Sequence, residues 1–349
     1  MNVEKKQERN SCIEVLRILS MLAIIATHYV EINYLDYLDV SVITFNRVFL
    51  EFMRAGAKIG VNIFVLITGY FLIDREFRWK RIMKLSGTVW FYSIVLDAIS
   101  YVLGYRELTL RNLTDTCFPI LMQKHWFVTV FMGLELIFPF LNKGLKALNR
   151  KEHFRLILLL LFMTSVIPTF TAQQYFYSNF LWFIVLYCIA AYIRLYPGGH
   201  SYSYRLLLAG GAEFLLILLS IFVFDCLGLR YPSLLQHRFY FTTMNTILTA
   251  LCAVSIFGFA VWLRPTHSRL VNKMGSAMFA VYLIHCSEIG RAVWRYVLKP
   301  LPLDSLYLPA AAVFSVIAMM IFCVAVERVR QIAGEKLADC RKVLKKRDV

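Results

Sequence analysis

Ten apolar runs, at about 13–33, 60–74, 85–104, 126–141, 156–171, 179–196, 206–227, 243–263, 275–290 and 306–327, constrain what this chain can become. In a bilayer core the backbone N–H and C=O groups must be satisfied within the segment, which makes helices the solution for runs of about twenty residues. The expected fold is an all-α polytopic membrane protein of about ten transmembrane helices, with 60–74, 126–141 and 275–290 short for a span. Composition agrees: 59% of the chain is hydrophobic and only 17% charged, against about a quarter charged in soluble domains. No intervening segment is long enough for a soluble domain. Residues 1–330 read as a single membrane domain and 331–349 as a basic tail.

Charge placement orients the chain. With the N-terminus inside, 26 of the 38 Lys and Arg residues fall in inside segments and 11 in outside ones, Arg17 being the remaining residue. This bias obeys the positive-inside rule and predicts that both termini are cytoplasmic. The net charge of +16 is then mostly topology, and the tail cations Arg341, Lys342, Lys345, Lys346 and Arg347 suit anionic lipid better than nucleic acid. The polar stretch Met1–Asn10 has no cleavage site, so no cleaved signal peptide is expected. Eight cysteines without a CxxC pair read as apolar packing, with no disulfide framework and no metal site. The segment 36–58 mixes apolar residues with Asn46, Arg47, Glu51 and Arg54 at helical spacing, which predicts either an amphipathic helix across the outer mouth or an irregular loop.

Within the first run, Arg17 and His28 lie eleven residues apart, close to Glu14. That spacing returns to the same helix face, displaced by about 16 Å. Ionisable groups in a span face a protein interior or an aqueous cavity, and they mark function. A neutral imidazole is the usual base for a hydroxyl proton, and Glu31, one turn on, could orient His28 through its other ring nitrogen. The plainer alternatives are a histidine bonded between helices and an arginine snorkelling to the interface. The basic turn carrying Arg75, Arg78, Lys80 and Arg81 suits a phosphate-bearing ligand. Asn62, Thr68, Trp126, Glu135, Tyr282 and His285 are further polar or aromatic candidates within or beside spans. Asp97 and Glu213, also within spans, each need a partner or water. His153, His200, His237 and His267 read as solvated loop residues.

The residues resemble those of the acyltransferase-3 family of integral membrane acyltransferases, which acylate sugars of bacterial surface polysaccharides and lipopolysaccharides. The resemblance is carried by Arg17…His28 in IEVLRILSMLAIIATH (13–28), by GVNIFVLITGYFLI (60–73), and by Arg78…Arg81. Trp126-Phe127…Pro139 and Tyr282-Leu283-Ile284-His285 complete five blocks in family order. Thr68 stands where the family usually has Ser, Asn62 where many have Asp, Glu135 where Tyr is common, and Lys84 or Leu85 in place of a usual Pro. The resemblance implies acetyl-CoA or another acyl-CoA as a cytosolic donor held by Arg17, Arg75, Arg78, Lys80 and Arg81. It implies His28 as the catalytic group, with Glu31, on its position one turn away, the residue read as assisting it. The acceptor would be an envelope glycan or lipid-linked glycan, contacted by Asn62, Thr68, Trp126, Glu135, Tyr282 and His285. No permanently bound cofactor and no nucleic acid are expected, and the implied location is the bacterial inner membrane. The competing class is a transporter of a polysaccharide or its precursor, since intramembrane Arg, His and Glu also build substrate paths. The absence of matched broken helices in two halves counts against it. A sensory or anchoring module is the third class, and the lack of a second domain weighs against that.

Overall fold

The computed structural model describes residues 9–35, 42–197 and 203–347. Fourteen α-helices and no strand occur among the described residues. The helices are α1 (Ser11–Asn33), α2 (Phe45–Arg54), α3 (Ala57–Leu72), α4 (Trp79–Val102), α5 (Leu110–Cys117), α6 (Trp126–Ala147) and α7 (Arg150–Leu161). They continue as α8 (Ile167–Thr171), α9 (Asn179–Leu195), α10 (Ser203–Gly228), α11 (Ile247–Trp262), α12 (Arg269–His285), α13 (Glu288–Ala292) and α14 (Leu308–Arg347). All ten apolar runs fall on helix. Eight helical stretches are long and apolar enough to cross a membrane; α9 and α12, at 17 residues each, are shorter. A π-helical turn at Phe162–Val166 joins α7 to α8 into one 22-residue stretch.

The bundle is organised around α3, which packs on α1, α9 and α11, while α12 packs on α1 and α14. Two glycines let the site helices approach closely. A Cβ on Gly60 of α3 would lie 2.6 Å from the Ser20 carbonyl oxygen of α1, and one on Gly275 of α12 would overlap the Glu14 carboxylate. Side chains close the helix starts: Asn10 accepts from the Cys12 N–H, Thr44 from Arg47, and Ser268 from Val271. The helix α10 stands at the rim, packed on α11, with Leu208, Leu215 and Leu219 exposed as a lipid-facing helix requires.

The segment expected across the outer mouth is helical over Phe45–Arg54, with residues 36–41 outside the described ones, but its faces are reversed from the expectation. Arg47 and Glu51 are 1% and 2% exposed, whereas Phe45 is 77% exposed and Phe52 48%. The cause is a buried charge cluster. Arg47 donates to Glu51 at 3.1 Å and to Asp225 of α10 at 2.5 Å, and Arg238 approaches both carboxylates at 3.8 Å. The charged face therefore closes the bundle, and the apolar face is left outward. His153, expected in solvent, is also buried; its Nε2 meets the Cys188 carbonyl at 3.0 Å, tying α7 to α9. Asp97 finds its partners in Lys124 (2.5 Å) and Arg106 (3.1 Å). His200 lies outside the described residues.

Removing one member of a buried ion cluster leaves an uncompensated charge, at a cost of about 3–5 kcal/mol. Asp225→Ala is expected to lower the thermal unfolding midpoint of the detergent-purified protein markedly, and an unchanged midpoint would contradict the structural role given to the cluster.

Candidate active site

The stripe predicted on α1 exists. Arg17, Met21, Ile24 and His28, at helical spacing, form one wall of an internal cavity of about 260 Å³. Opposite stand Lys58, Val61, Phe64 and Thr68 of α3, Trp126, Phe127 and Phe131 of α6, and Phe279 and Tyr282 of α12. The Lys58 ammonium sits 5.1 Å from the centroid of the Trp126 ring at the far end of this space from Arg17. A second cavity, of about 580 Å³, lies beyond Arg17. Its walls include Arg9, Glu14, Tyr70, Arg75, Arg81, Glu135, Arg194 and His267. Both cavities are lined by Arg17, Thr68 and Phe131, so they meet at that level. Three helices grade consistently along this path. From the upper cavity downward, α1 runs His28 to Arg17, α3 runs Lys58 to Thr68, and α6 runs Trp126 through Phe131 to Glu135.

His28 is held from behind by a second imidazole. Its Nδ1 lies 3.0 Å from Nε2 of His285, whose Nδ1 lies 2.7 Å from the Val281 carbonyl oxygen. A carbonyl only accepts, so Nδ1 of His285 carries its proton. The Nε2 of neutral His285 is then an acceptor, and the Nδ1–H of His28 must donate to it. The available lone pair of His28 is thereby assigned to Nε2. His285 is fully buried and packs edge-on against Trp294 (6.4 Å between centroids) and Tyr282 (5.9 Å), which restricts its ring. The Cys286 thiol completes a close group, with Sγ 3.4 Å from His285 Nε2 and 3.6 Å from His28 Nδ1.

The lower cavity is strongly cationic. Five arginines face two glutamates in its wall. Arg17 pairs with Glu14 at 3.3 Å, Arg81 pairs with Glu135, and Arg194 pairs with Asp74 at 2.6 Å. Arg75 makes no ion pair within 4 Å among the described residues; partial burial, and then the nearby Arg81 guanidinium, lower its pKa below the usual arginine value. Such crowding of like charge favours an incoming anion.

Several residues take places other than those predicted for them. Glu31, expected to orient His28, pairs instead with Arg54 at 3.3 Å, and His285 holds the ring. Asn62 lines neither cavity: its amide donates to the Met244 carbonyl at 2.8 Å and its oxygen accepts from Trp182 Nε1 at 2.9 Å, which ties α3 to α9 and to the start of α11. Glu135, expected on the acceptor side, belongs to the lower cavity, since nine residues of helix place it about 13 Å from Trp126. Its own carbonyl lacks the usual helical donor because Pro139 has no N–H. His285 stands behind the upper cavity rather than in its wall. Arg78 and Lys80 are exposed and line neither cavity; α4 begins at Trp79, and successive residues on a helix point about 100° apart, so Arg81 turns inward and Lys80 does not. Arg17, Thr68, Trp126, Tyr282, Arg75 and Arg81 all line the connected space.

Sequence reasoning missed Lys58, Arg9 and Arg194 in the cavity walls, and the Cys286 thiol that stands outside them beside the imidazole pair. The two arginines look like ordinary positive-inside charge, and a cysteine inside an apolar run carries no signal of its neighbours. The chain as a whole has a clear relationship. A family model described as an acyltransferase domain, that of acyltransferase-3, matches residues 10–328. No curated protein and no solved structure matches the chain. The match spans nearly the whole helical bundle, both cavities included, and on it the chain belongs to the acyltransferase-3 family and is a membrane acyltransferase.

Proposed function

We propose that the protein moves an acetyl group from acetyl-CoA, entering from the cytoplasm, to a hydroxyl of an envelope glycan or glycolipid in the bacterial inner membrane. One observation carries this reading: a cationic cavity leads, past Arg17, into an apolar cavity whose wall holds an imidazole with a defined free nitrogen.

The nucleotide phosphates of the donor suit the lower cavity, where Arg75, Arg81, Arg9 and Arg194 supply charge-assisted donors. The pantetheine arm is about as long as the offset of about 16 Å between Arg17 and His28, so its thioester reaches the upper cavity while the phosphates stay below. Thr68 and Phe131 stand where the arm would pass. A sugar hydroxyl enters from the Lys58 and Trp126 end, where an aromatic ring and an ammonium suit a polyhydroxylated ligand.

In the direct route, His28 Nε2 takes the hydroxyl proton as the oxygen attacks the thioester carbonyl. The tetrahedral intermediate collapses with cleavage of the C–S bond, and the imidazolium returns its proton to the departing CoA thiolate. The same lone pair could attack the thioester first and pass the acetyl group on as acyl-imidazole. Trapping an acetylated His28 distinguishes the two. In both, His285 keeps the Nδ1 proton of His28 in place and steadies the cation that forms.

His28→Ala is expected to lower acetyl-CoA turnover by about 10²–10⁴-fold and to abolish O-acetylation of envelope glycans in cells; full activity in this variant ends the proposal. His285→Ala should lower kcat by roughly 10–100-fold, the scale of losing an orienting partner, while leaving KM for acetyl-CoA unchanged. Arg75→Ala should raise KM for acetyl-CoA several-fold, yet leave acetyl-pantetheine, which lacks the nucleotide, unaffected. Equal effects on both donors would remove Arg75 from phosphate binding.

A further inference from the structure

The group formed by His28, His285 and Cys286 offers more than an imidazole pair. Their Nδ1, Nε2 and Sγ atoms stand 3.0, 3.4 and 3.6 Å from one another. A tetrahedral ion with bonds of about 2.0–2.1 Å to nitrogen and about 2.3 Å to sulfur separates such donors by about 3.3–3.6 Å. The trio matches that spacing with adjustments of a few tenths of an ångström. Two imidazoles and a thiolate are a donor set for borderline-soft ions of the zinc class. His285 is already arranged as a ligand, since its distal Nδ1–H donates to the Val281 carbonyl, the outer contact that ligating histidines make.

We propose that His28, His285 and Cys286 bind a thiophilic divalent cation such as Zn²⁺, and that the bound ion silences acyl transfer. The silencing rests on the acyl-transfer reading of His28; the binding does not. Coordination requires Nδ1 of His28 and Sγ of Cys286 to be free of protons. The thiol proton leaves to solvent and the His28 proton shifts from Nδ1 to Nε2, so one proton is released for each ion bound. His28 then presents an N–H to the cavity where it had a lone pair, and it can serve neither as base nor as nucleophile. Cys286 touches neither cavity wall and takes no part in the transfer itself.

The test uses the full-length, detergent-purified protein, stripped of metal and titrated with Co²⁺. The expected result is a thiolate-to-cobalt charge-transfer band with the intense visible bands of a four-coordinate ion, abolished in Cys286→Ser and reversed by one equivalent of Zn²⁺. Zn²⁺ should inhibit acetyl-CoA turnover of the wild-type protein. Cys286→Ser should keep its basal turnover and need at least tenfold more Zn²⁺ for the same inhibition. A cobalt band that survives in Cys286→Ser, or no band in the wild-type protein, overturns the site. Equal Zn²⁺ sensitivity of the two proteins overturns the silencing. Absence of turnover in the metal-free wild-type protein would refute the acyl-transfer reading, and the cobalt spectrum alone would then decide the site.

Discussion

The Val281 carbonyl oxygen, accepting from His285 at 2.7 Å, is the contact on which the chemistry of this site depends. It is an ordinary backbone acceptor, but it has no proton to give. Its presence therefore decides the tautomer of His285, and through a second hydrogen bond that of His28. In water either ring could rotate or exchange its proton with solvent. Here His285 is fully buried among Trp294, Tyr282 and His28, so the arrangement is held by packing as well as by hydrogen bonding. A free nitrogen is delivered to the cavity by an imidazole that has another imidazole as its hydrogen-bond partner.

The same demand that buried polar groups be partnered accounts for the rest of the bundle. The carboxylates of Glu14, Glu135, Glu51 and Asp225, all brought inside, each meet a guanidinium: Glu14 with Arg17, Glu135 with Arg81, and Glu51 and Asp225 in the four-membered cluster with Arg47 and Arg238. The last inverts α2, because an internal pair of carboxylates outweighs the tendency of charged side chains to face water. The close approaches at Gly60 and Gly275 serve the cavities too. They bring α3 and α12 against α1, the helix whose Arg17 and His28 line the cavities.

Much of the fold was legible in the sequence because hydrophobicity is a property of segments. Runs of apolar residues identify helices whatever their neighbours. Helical periodicity likewise sufficed to put Arg17 and His28 on one wall, since both lie on one rigid rod. Where reasoning had to cross from one helix to another it weakened. Glu31 is the nearest acid to His28 along the chain, yet it pairs with Arg54; the true partner is 257 positions away. Asn62 has the residue type of a binding group, but both ends of its amide are consumed by Met244 and Trp182. Glu135 shares a helix with Trp126 and still faces a different cavity, because nine residues of helix carry it past the junction at Phe131.

By itself the sequence determined that this chain is a helical membrane protein, which of its runs are helices, and that one face of the first helix carries a guanidinium and an imidazole. These follow from local composition and the fixed geometry of an α-helix. Only the tertiary structure decided which nitrogen of that imidazole is free, that a thiol stands beside it, and that the path from the cationic end reaches it. Those are relations between side chains far apart in the chain. They depend on the rotation and depth at which each helix docks, and no local pattern encodes either.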